Sequence, residues 1–295
     1  MEIWPIPENR RGRLLDLGMK TEKRIHIGCQ SWGYEDWVTP PDGRTVFYPS
    51  GTKQSEMLEL YSRIFETIEV DSTAYGVPRV EALEGWRQKT PDGFTFSLKV
   101  PNSITHEFSL RPESYPILDD MVRASEALSE KLGMILVQLP ASFEANKENG
   151  MALREFVRRL PKSVGFAVEF RNPGWFNDWT YDELAASGVA LALVEGKWVD
   201  REIMFSAAAR ASLDLSYIRL MGIRDLERFD RIYRDRTDVL KRWADVIGKL
   251  DRKRQFIYVD NYFEGHAPAT ANRLRSMLGL TVEDPVALEI QPSLF

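Results

Sequence analysis

One cysteine and three histidines in 295 residues set the first limits on this chain. Cys29 has no second cysteine to join, so an intrachain disulfide and a cysteine-built zinc site are excluded, and a reducing compartment is the simplest setting. His26, His106 and His266 form no HExxH pattern and no dense His/Asp series, which leaves a multinuclear zinc centre little to be built from. A hard divalent cation held mainly by carboxylates stays compatible with the composition. Phosphate-cradling glycine patterns are missing too: GCQSWG at 28–33 is neither GxGxxG nor a P-loop, so no dinucleotide cofactor is implied. Ser31 and Ser72 lie in no GxSxG elbow.

No apolar stretch approaches membrane-span length, and the opening MEIWPIPENRRGRLL lacks the apolar run of a secretory signal. The expectation is a cytoplasmic protein without membrane contact. Charge of one sign is also lacking: 39 Lys plus Arg against 44 Asp plus Glu give a net charge of -5, no global field for nucleic acid or an anionic membrane. Two basic stretches, 151–162 and 224–236, carry apolar residues at helical spacing and read as solvated faces of outer helices.

What is present is a repeated unit. Eight short apolar segments, IHIGCQ, TIEVDSTAY, FTFSLKV, MILVQLP, VGFAVEFR, VALALVEG, SYIRLMG and QFIYVDN, each run into polar or ionisable residues, with helix-compatible stretches between them. That order predicts a single-domain α/β fold, a (β/α)8 TIM-type barrel whose ligand site lies at the C-terminal mouth. Residues 1–24 read as an N-terminal arm, 25–280 as the barrel and 281–295 as a C-terminal tail. Amphipathic helix is expected over 228–250, and a last helix from near Ala267.

Alternation assigns faces. Glu69 and Asp71 oppose Ile68 and Val70; Thr95, Ser97 and Lys99 oppose Phe96 and Leu98; Ala167, Glu169 and Arg171 oppose Phe166, Val168 and Phe170. Helices cover the outside of such a barrel, so the polar set points inward, and buried charge must be paired. An internal network of Glu69, Lys99, Glu169 and Arg219 is predicted. Glu69 sits deep enough to be an interior stabiliser, whereas Asp71, Lys99, Glu169, Arg171 and Asp260 end their strands where a ligand would meet them. Cys29 falls on the outward apolar face with Ile25 and Ile27 and reads as inert packing.

Five stretches together resemble the DUF72 family, the YecE-like proteins: IGCQSWGYEDW with a following FYP, FETIEVDSTAYGVP, FTFSLKVPNSITHE, VEFRNPGW and YVDNYFEGHAPATANRL. The resemblance spans about residues 25–278 and implies a TIM-barrel-like fold. It implies no assigned reaction. Asp71 stands where the family's motif has an amide, Ala74 where it has an aromatic ring, and Met221 where it tends to have histidine.

In the mouth, Lys99, Arg171 and Arg219 come from three strands and suit phosphate or carboxylate. Trp32, Tyr75 and Trp175 closely follow strand ends and read as stacking faces; Gln138, Asp260 and Asn261 complete the ligand-binding set. The concrete enzyme reading is acid/base or hydrolytic chemistry on a phosphorylated or nucleotide-like ligand. In it, Glu169 transfers the proton, Asp71 is the second carboxylate or a cation ligand, and Lys99 is an electrostatic stabiliser or proton donor. A glycosidase would need Asp71 with Glu169, or Glu169 with Asp260, as its pair. The competing classes are a noncatalytic module binding a nucleic-acid end or phosphometabolite, and a structural or partner-binding barrel plugged by the arm or by the 31–53 segment.

Overall fold

The computed structural model describes residues 24–41, 43–210 and 213–288. Most of the N-terminal arm and the end of the C-terminal tail lie outside the described residues. Eight parallel strands close into a barrel in sequence order: β1 (Arg24–Gln30), β2 (Thr67–Val70), β3 (Thr95–Lys99), β4 (Leu132–Gln138), β5 (Phe166–Glu169), β6 (Ala190–Glu195), β7 (Leu215–Leu220) and β8 (Arg254–Val259). Around them run α1 (Met57–Ile64), α2 (Val80–Gln88), α3 (Tyr115–Ser125), α4 (Lys147–Arg159), α5 (Asp178–Ser187), α6 (Arg201–Arg210) and α7 (Thr237–Lys249), with short α8 (Asn261–Glu264) and α9 (Ala267–Met277) after the last strand. The (β/α)8 expectation is met strand for strand.

Two cores follow from the pleat. The outward residues Ile68, Val70, Phe96, Leu98, Val168 and Phe170 join the helices in one large apolar cluster, and Cys29 is buried with them. Inside the barrel a second, smaller cluster combines Met134, Leu136, Ala167, Ala192, Tyr217, Phe256 and Tyr258. Its tyrosine hydroxyls are satisfied: Tyr258 OH lies 2.8 Å from Thr67 Oγ1 and donates to Ser97 Oγ at 2.8 Å, while Tyr217 OH donates to Glu69 Oε2 at 2.6 Å. This polar floor meets the requirement that buried hydroxyls be paired, and it supports the carboxylate above it.

Helix ends are set by side-chain caps. Asn146 accepts from Asn149 N at the start of α4 and Asn177 from Thr180 N at the start of α5, which closes on Gly188 in the left-handed region. One expectation is corrected. Residues 228–236 are not helical, and α7 begins only at Thr237. Backbone donors of this stretch are taken by outside partners: Phe229 N by Asp36 Oδ2 at 3.0 Å, Tyr233 N by the Glu264 carbonyl at 2.7 Å, and Arg236 N by Glu264 Oε1 at 2.9 Å. The same stretch therefore lies against the loops after β1 and β8 instead of forming an outer helix. Its first turn requires Gly222, where a Cβ would fall 1.7 Å from the Tyr262 carbonyl oxygen.

Candidate functional site

Arg219, near the end of β7, is 1% exposed and lies between two equally buried carboxylates. Its Nη2 donates to Glu69 Oε1 at 2.7 Å and its Nε to Glu69 Oε2 at 3.0 Å, while Nη1 donates to Glu169 Oε2 at 2.5 Å. Arg171 closes the set, with Nε on Glu169 Oε1 at 2.9 Å and Nη2 on Gln138 Oε1 at 2.8 Å. Two carboxylates thus meet two guanidinium groups, which is how a barrel interior tolerates four ions. Burial would raise the Glu169 carboxyl, but Arg219 and Arg171 outweigh it and hold it below its usual range. At Glu69 burial wins over Arg219, and the carboxyl is raised.

Lys99 stays outside this network, contrary to the expectation. Only 8% exposed at the end of β3, its ammonium makes no hydrogen bond or ion pair among the described residues. Alternation correctly gave it an inward face but could not give its reach. Burial lowers its pKa, the Asp71 charge opposes that most strongly, and Arg219 adds to it. Asp71, in the short turn of helix Asp71–Tyr75 that follows β2, has its Oδ1 buried without a donor and 3.9 Å from Arg219 Nη2.

Both groups face a cavity of about 200 Å³ shared with Tyr75, Asn102, His106, Gln138, Arg171 and Arg224. Asn102 Oδ1 is another buried acceptor without a donor. His106 is lowered from its usual pKa by burial, then by Lys99 and Arg171, so its imidazole is neutral at neutral pH. A second cavity, about 290 Å³, is lined by Glu169, Lys197, Trp198 and Asp260 and shares Arg171, Met221 and Arg224 with the first. Together they make one bowl above the ion network. No described residue of 31–53 lines either cavity; in that segment Trp37, Phe47 and Tyr48 are fully buried.

The remaining sequence-derived residues divide. Tyr75 is 90% exposed at the rim, and Gln138, Arg171 and Asp260 reach the bowl. Asp260 is buried, accepts weakly from Tyr262 N at 3.4 Å, and is pushed up to about 6 by its burial. Trp175 is corrected: it is 2% exposed, stacked between Phe143 and Phe170 at 5.3 and 5.0 Å, with Nε1 donating to the Phe143 carbonyl. No ring face is left for a ligand. Trp32 packs edge-on to Trp86 at 5.4 Å and lines neither cavity. Asn261 commits its Oδ1 to the fold, accepting from Trp37 Nε1 at 3.2 Å and Ala267 N at 2.9 Å, while its Nδ2 is buried without an acceptor; it lines neither cavity.

Trp198 was missed, although it follows the end of β6 at Glu195 more closely than Trp175 follows the end of β5 at Glu169. It is 45% exposed, with the Arg171 guanidinium 5.8 Å and the Lys197 ammonium 4.5 Å from its ring centre. Lys197, Arg224 and Asn102 were missed with it, each in the loop after a strand end. Among the described residues no three His, Cys, Asp or Glu side chains converge as cation ligands. Neither pairing suggested for a glycosidase leaves Glu169 free, since two guanidinium groups hold it. His266 is buried under the β1 loop beside Trp37 at 6.1 Å, its pKa lowered to about 4 by burial.

Comparison with known proteins places this geometry in a lineage. The family model described as "Protein of unknown function DUF72" matches residues 26–293. The UPF0759 protein YecE of Escherichia coli is 32% identical over 152 residues, covering 52% of this chain and 50% of that protein. The UPF0759 protein YunF of Bacillus subtilis is 30% identical over 164 residues, 54% of this chain and 55% of that protein. The chain thus spans about half the length of the curated relatives it matches. A crystal structure of a DUF72 family protein from Thermotoga maritima superposes with a TM-score of 0.71 at 26% identity, covering 87% of this chain and 99% of that one. One from Enterococcus faecalis, at 20% identity and a TM-score of 0.68, shares the fold over 88% of this chain and all of that one. Among the described residues no helix is long and apolar enough to cross a membrane.

Proposed function

The chain belongs to the DUF72 family, whose description names no reaction, and from that premise we propose a function read from the bowl itself: acid/base chemistry on a small phosphorylated or nucleotide-like ligand. The observation that carries it is a difference in commitment among neighbouring ions. Glu69, Glu169 and Arg219 are saturated by one another, whereas Lys99 makes no hydrogen bond or ion pair among the described residues and Asp71 Oδ1, 3.9 Å from Arg219 Nη2, accepts no hydrogen bond, and both face the same cavity. A saturated ion holds shape; an unsaturated one at a strand end is available to a ligand.

Roles follow from that difference. Glu169 positions Arg171 and Arg219 instead of transferring a proton, because its charged form is held by both. Asp71 becomes the proton-transfer group and Lys99 the proton donor or electrostatic stabiliser. Arg171, 23% exposed at its side chain, and the exposed Arg224 and Lys197 present cations to phosphate or carboxylate.

Calorimetry with inorganic phosphate and AMP tests the anion site, and a panel of phosphate esters and nucleotides followed by NMR tests turnover. Arg171→Met and Arg224→Met are expected to weaken binding. Asp71→Asn is expected to abolish turnover while affinity holds within a few-fold. A noncatalytic binding module is the second reading, supported by the exposed rings of Tyr75 and Trp198 at the rim, where a nucleobase could stack. Affinity without turnover of any compound in the panel selects that module. No affinity for either anion defeats both and leaves a structural or partner-binding barrel.

A further inference from the structure

Lysines inside proteins are normally supplied with acceptors, and this chain contains its own comparison. Lys131 is 4% exposed, and its Nζ donates to the Arg87 carbonyl at 2.8 Å, the Thr90 carbonyl at 2.7 Å and Thr90 Oγ1 at 3.3 Å. Lys99 is nearly as buried and has none of these, although its backbone is fixed by Thr73. A structural role explains Lys131. It does not explain an amine without a protein acceptor at the end of a barrel strand, lining a polar cavity together with Asp71, whose Oδ1 accepts no hydrogen bond and lies 3.9 Å from Arg219 Nη2.

We propose that Lys99 is a nucleophile that forms an imine with the carbonyl carbon of an aldehyde or ketone carrying a phosphate or carboxylate. This rests on reading the bowl as an anion site, names the substrate class for it, and gives Lys99 a nucleophilic role in place of proton donation. The amine requires its neutral form to attack, and burial together with the Arg219 charge favours that form. Ammonium attraction to Asp71 works against it, and the Asp71 carboxylate in the same cavity is the acceptor for the proton the amine must lose. The thiol that would otherwise compete for a carbonyl is absent from the bowl, since Cys29 is buried on the outer face of β1.

The steps balance without an oxidant or reductant. The nitrogen lone pair forms a C–N bond while the carbonyl π pair moves to oxygen, which takes the proton held by Asp71; the now cationic nitrogen gives one of its protons back to the Asp71 carboxylate, leaving a neutral carbinolamine. Asp71 passes that proton to the hydroxyl oxygen, which departs as water as the nitrogen pair closes the C=N bond and leaves the imine protonated. The net change is amine plus carbonyl to imine plus one water, and water reverses it. The protonated imine then acidifies the neighbouring C–H bond, for which the neutral His106 ring or Asp71 is the base in the same cavity. Arg171, Arg224 and Lys197 hold the anionic end.

The experiment is reductive trapping. The protein is incubated with glycolaldehyde phosphate, or with uncharged glycolaldehyde, in the presence of cyanoborohydride, and the modified lysines are mapped by mass spectrometry. The expected result is preferential labelling of Lys99 by the phosphorylated aldehyde, several-fold above Lys131 and the surface lysines. Inorganic phosphate should protect Lys99, and Lys99→Arg should remove only that label. Because the map is read on the wild-type chain, poor folding of the variant does not blur it. Labelling spread evenly over surface lysines, with Lys99 unmodified, overturns the imine. If calorimetry still shows phosphate binding in that case, the anion site survives its loss; equal Lys99 labelling by both aldehydes, with no phosphate protection, overturns the anion-bearing substrate class instead.

Discussion

Thr73 Oγ1 accepts a hydrogen bond from Lys99 N at 2.9 Å and donates to the Lys99 carbonyl oxygen at 2.7 Å, so one hydroxyl grips both ends of a single residue's backbone. Thr73 belongs to the turn that begins with Asp71. The turn that carries Asp71 and the strand end that carries Lys99 are therefore stitched together by a residue that lines neither cavity.

Thr73→Val removes both bonds at nearly constant volume and leaves a buried N–H and C=O without this partner. The expected cost is about 1–3 kcal/mol in chemical denaturation. Thr73→Ser keeps the hydroxyl and should cost less. If Asp71 and Lys99 act together, the valine variant loses turnover or Lys99 labelling beyond what its unfolded fraction explains, and the serine variant recovers it.

Asp260 gives a signed pH dependence. Its carboxyl is pushed from 3.8 to about 6, chiefly by burial, so the folded state holds this proton more tightly than the unfolded chain does. Its contribution to stability is thus fully present below the unfolded value and is lost as pH rises through about 6. The loss is on the order of 3 kcal/mol above that range. Asp260→Asn should be more stable than the native chain at pH 8 and close to it at pH 4, in thermal or urea melts across the range. An unchanged difference between those two pH values defeats the assignment.

Two tryptophans separate packing from the site. Trp175→Ala empties a stacked, buried position and should cost about 3–5 kcal/mol, with phosphate affinity of the folded protein unchanged. Trp198→Ala should leave stability within about 0.5 kcal/mol. It removes an exposed ring over Arg171, and weaker anion binding by about two- to five-fold is the outcome calorimetry should read.

The contrast between those rings shows what a linear reading can reach. Face assignment was legible because a strand alternates with period two: Glu69, Lys99, Glu169 and Arg219 all point inward as their neighbours require. Pairing was only partly legible, because it depends on height along the barrel axis, and the ladder between β3 and β4 shifts register between Phe96 and Leu98. Closeness to a strand end could not separate Trp175 from Trp198, since Phe143 and Phe170 claim the first ring from different elements. Residues 228–236 carry a helical spacing of apolar groups yet form a loop. The deciding partners, Asp36 and Glu264, lie far away in sequence. The family resemblance, by contrast, was carried by mouth segments, four of which supply Asp71, Tyr75, Lys99, Asn102, His106, Glu169, Arg171 and Asp260 to the bowl, whereas Lys197, Trp198 and Arg224 lie outside the resembling stretches.

That loop is fastened again at the far side, where Glu195 accepts from Arg236 Nη2 at 2.6 Å, from Arg201 Nε at 2.6 Å and from Trp243 Nε1 at 2.9 Å. With Asp36, Glu195 and Glu264 all engaged, the rim between β7 and β1 can be rebuilt only by several coordinated substitutions. The turns at 71–76, 102–107 and 196–198 contribute Tyr75, Asn102, His106, Lys197 and Trp198 without comparable obligations. Descendants of this barrel would thus change ligands by drifting along one half of the rim, while the other half is inherited as a block.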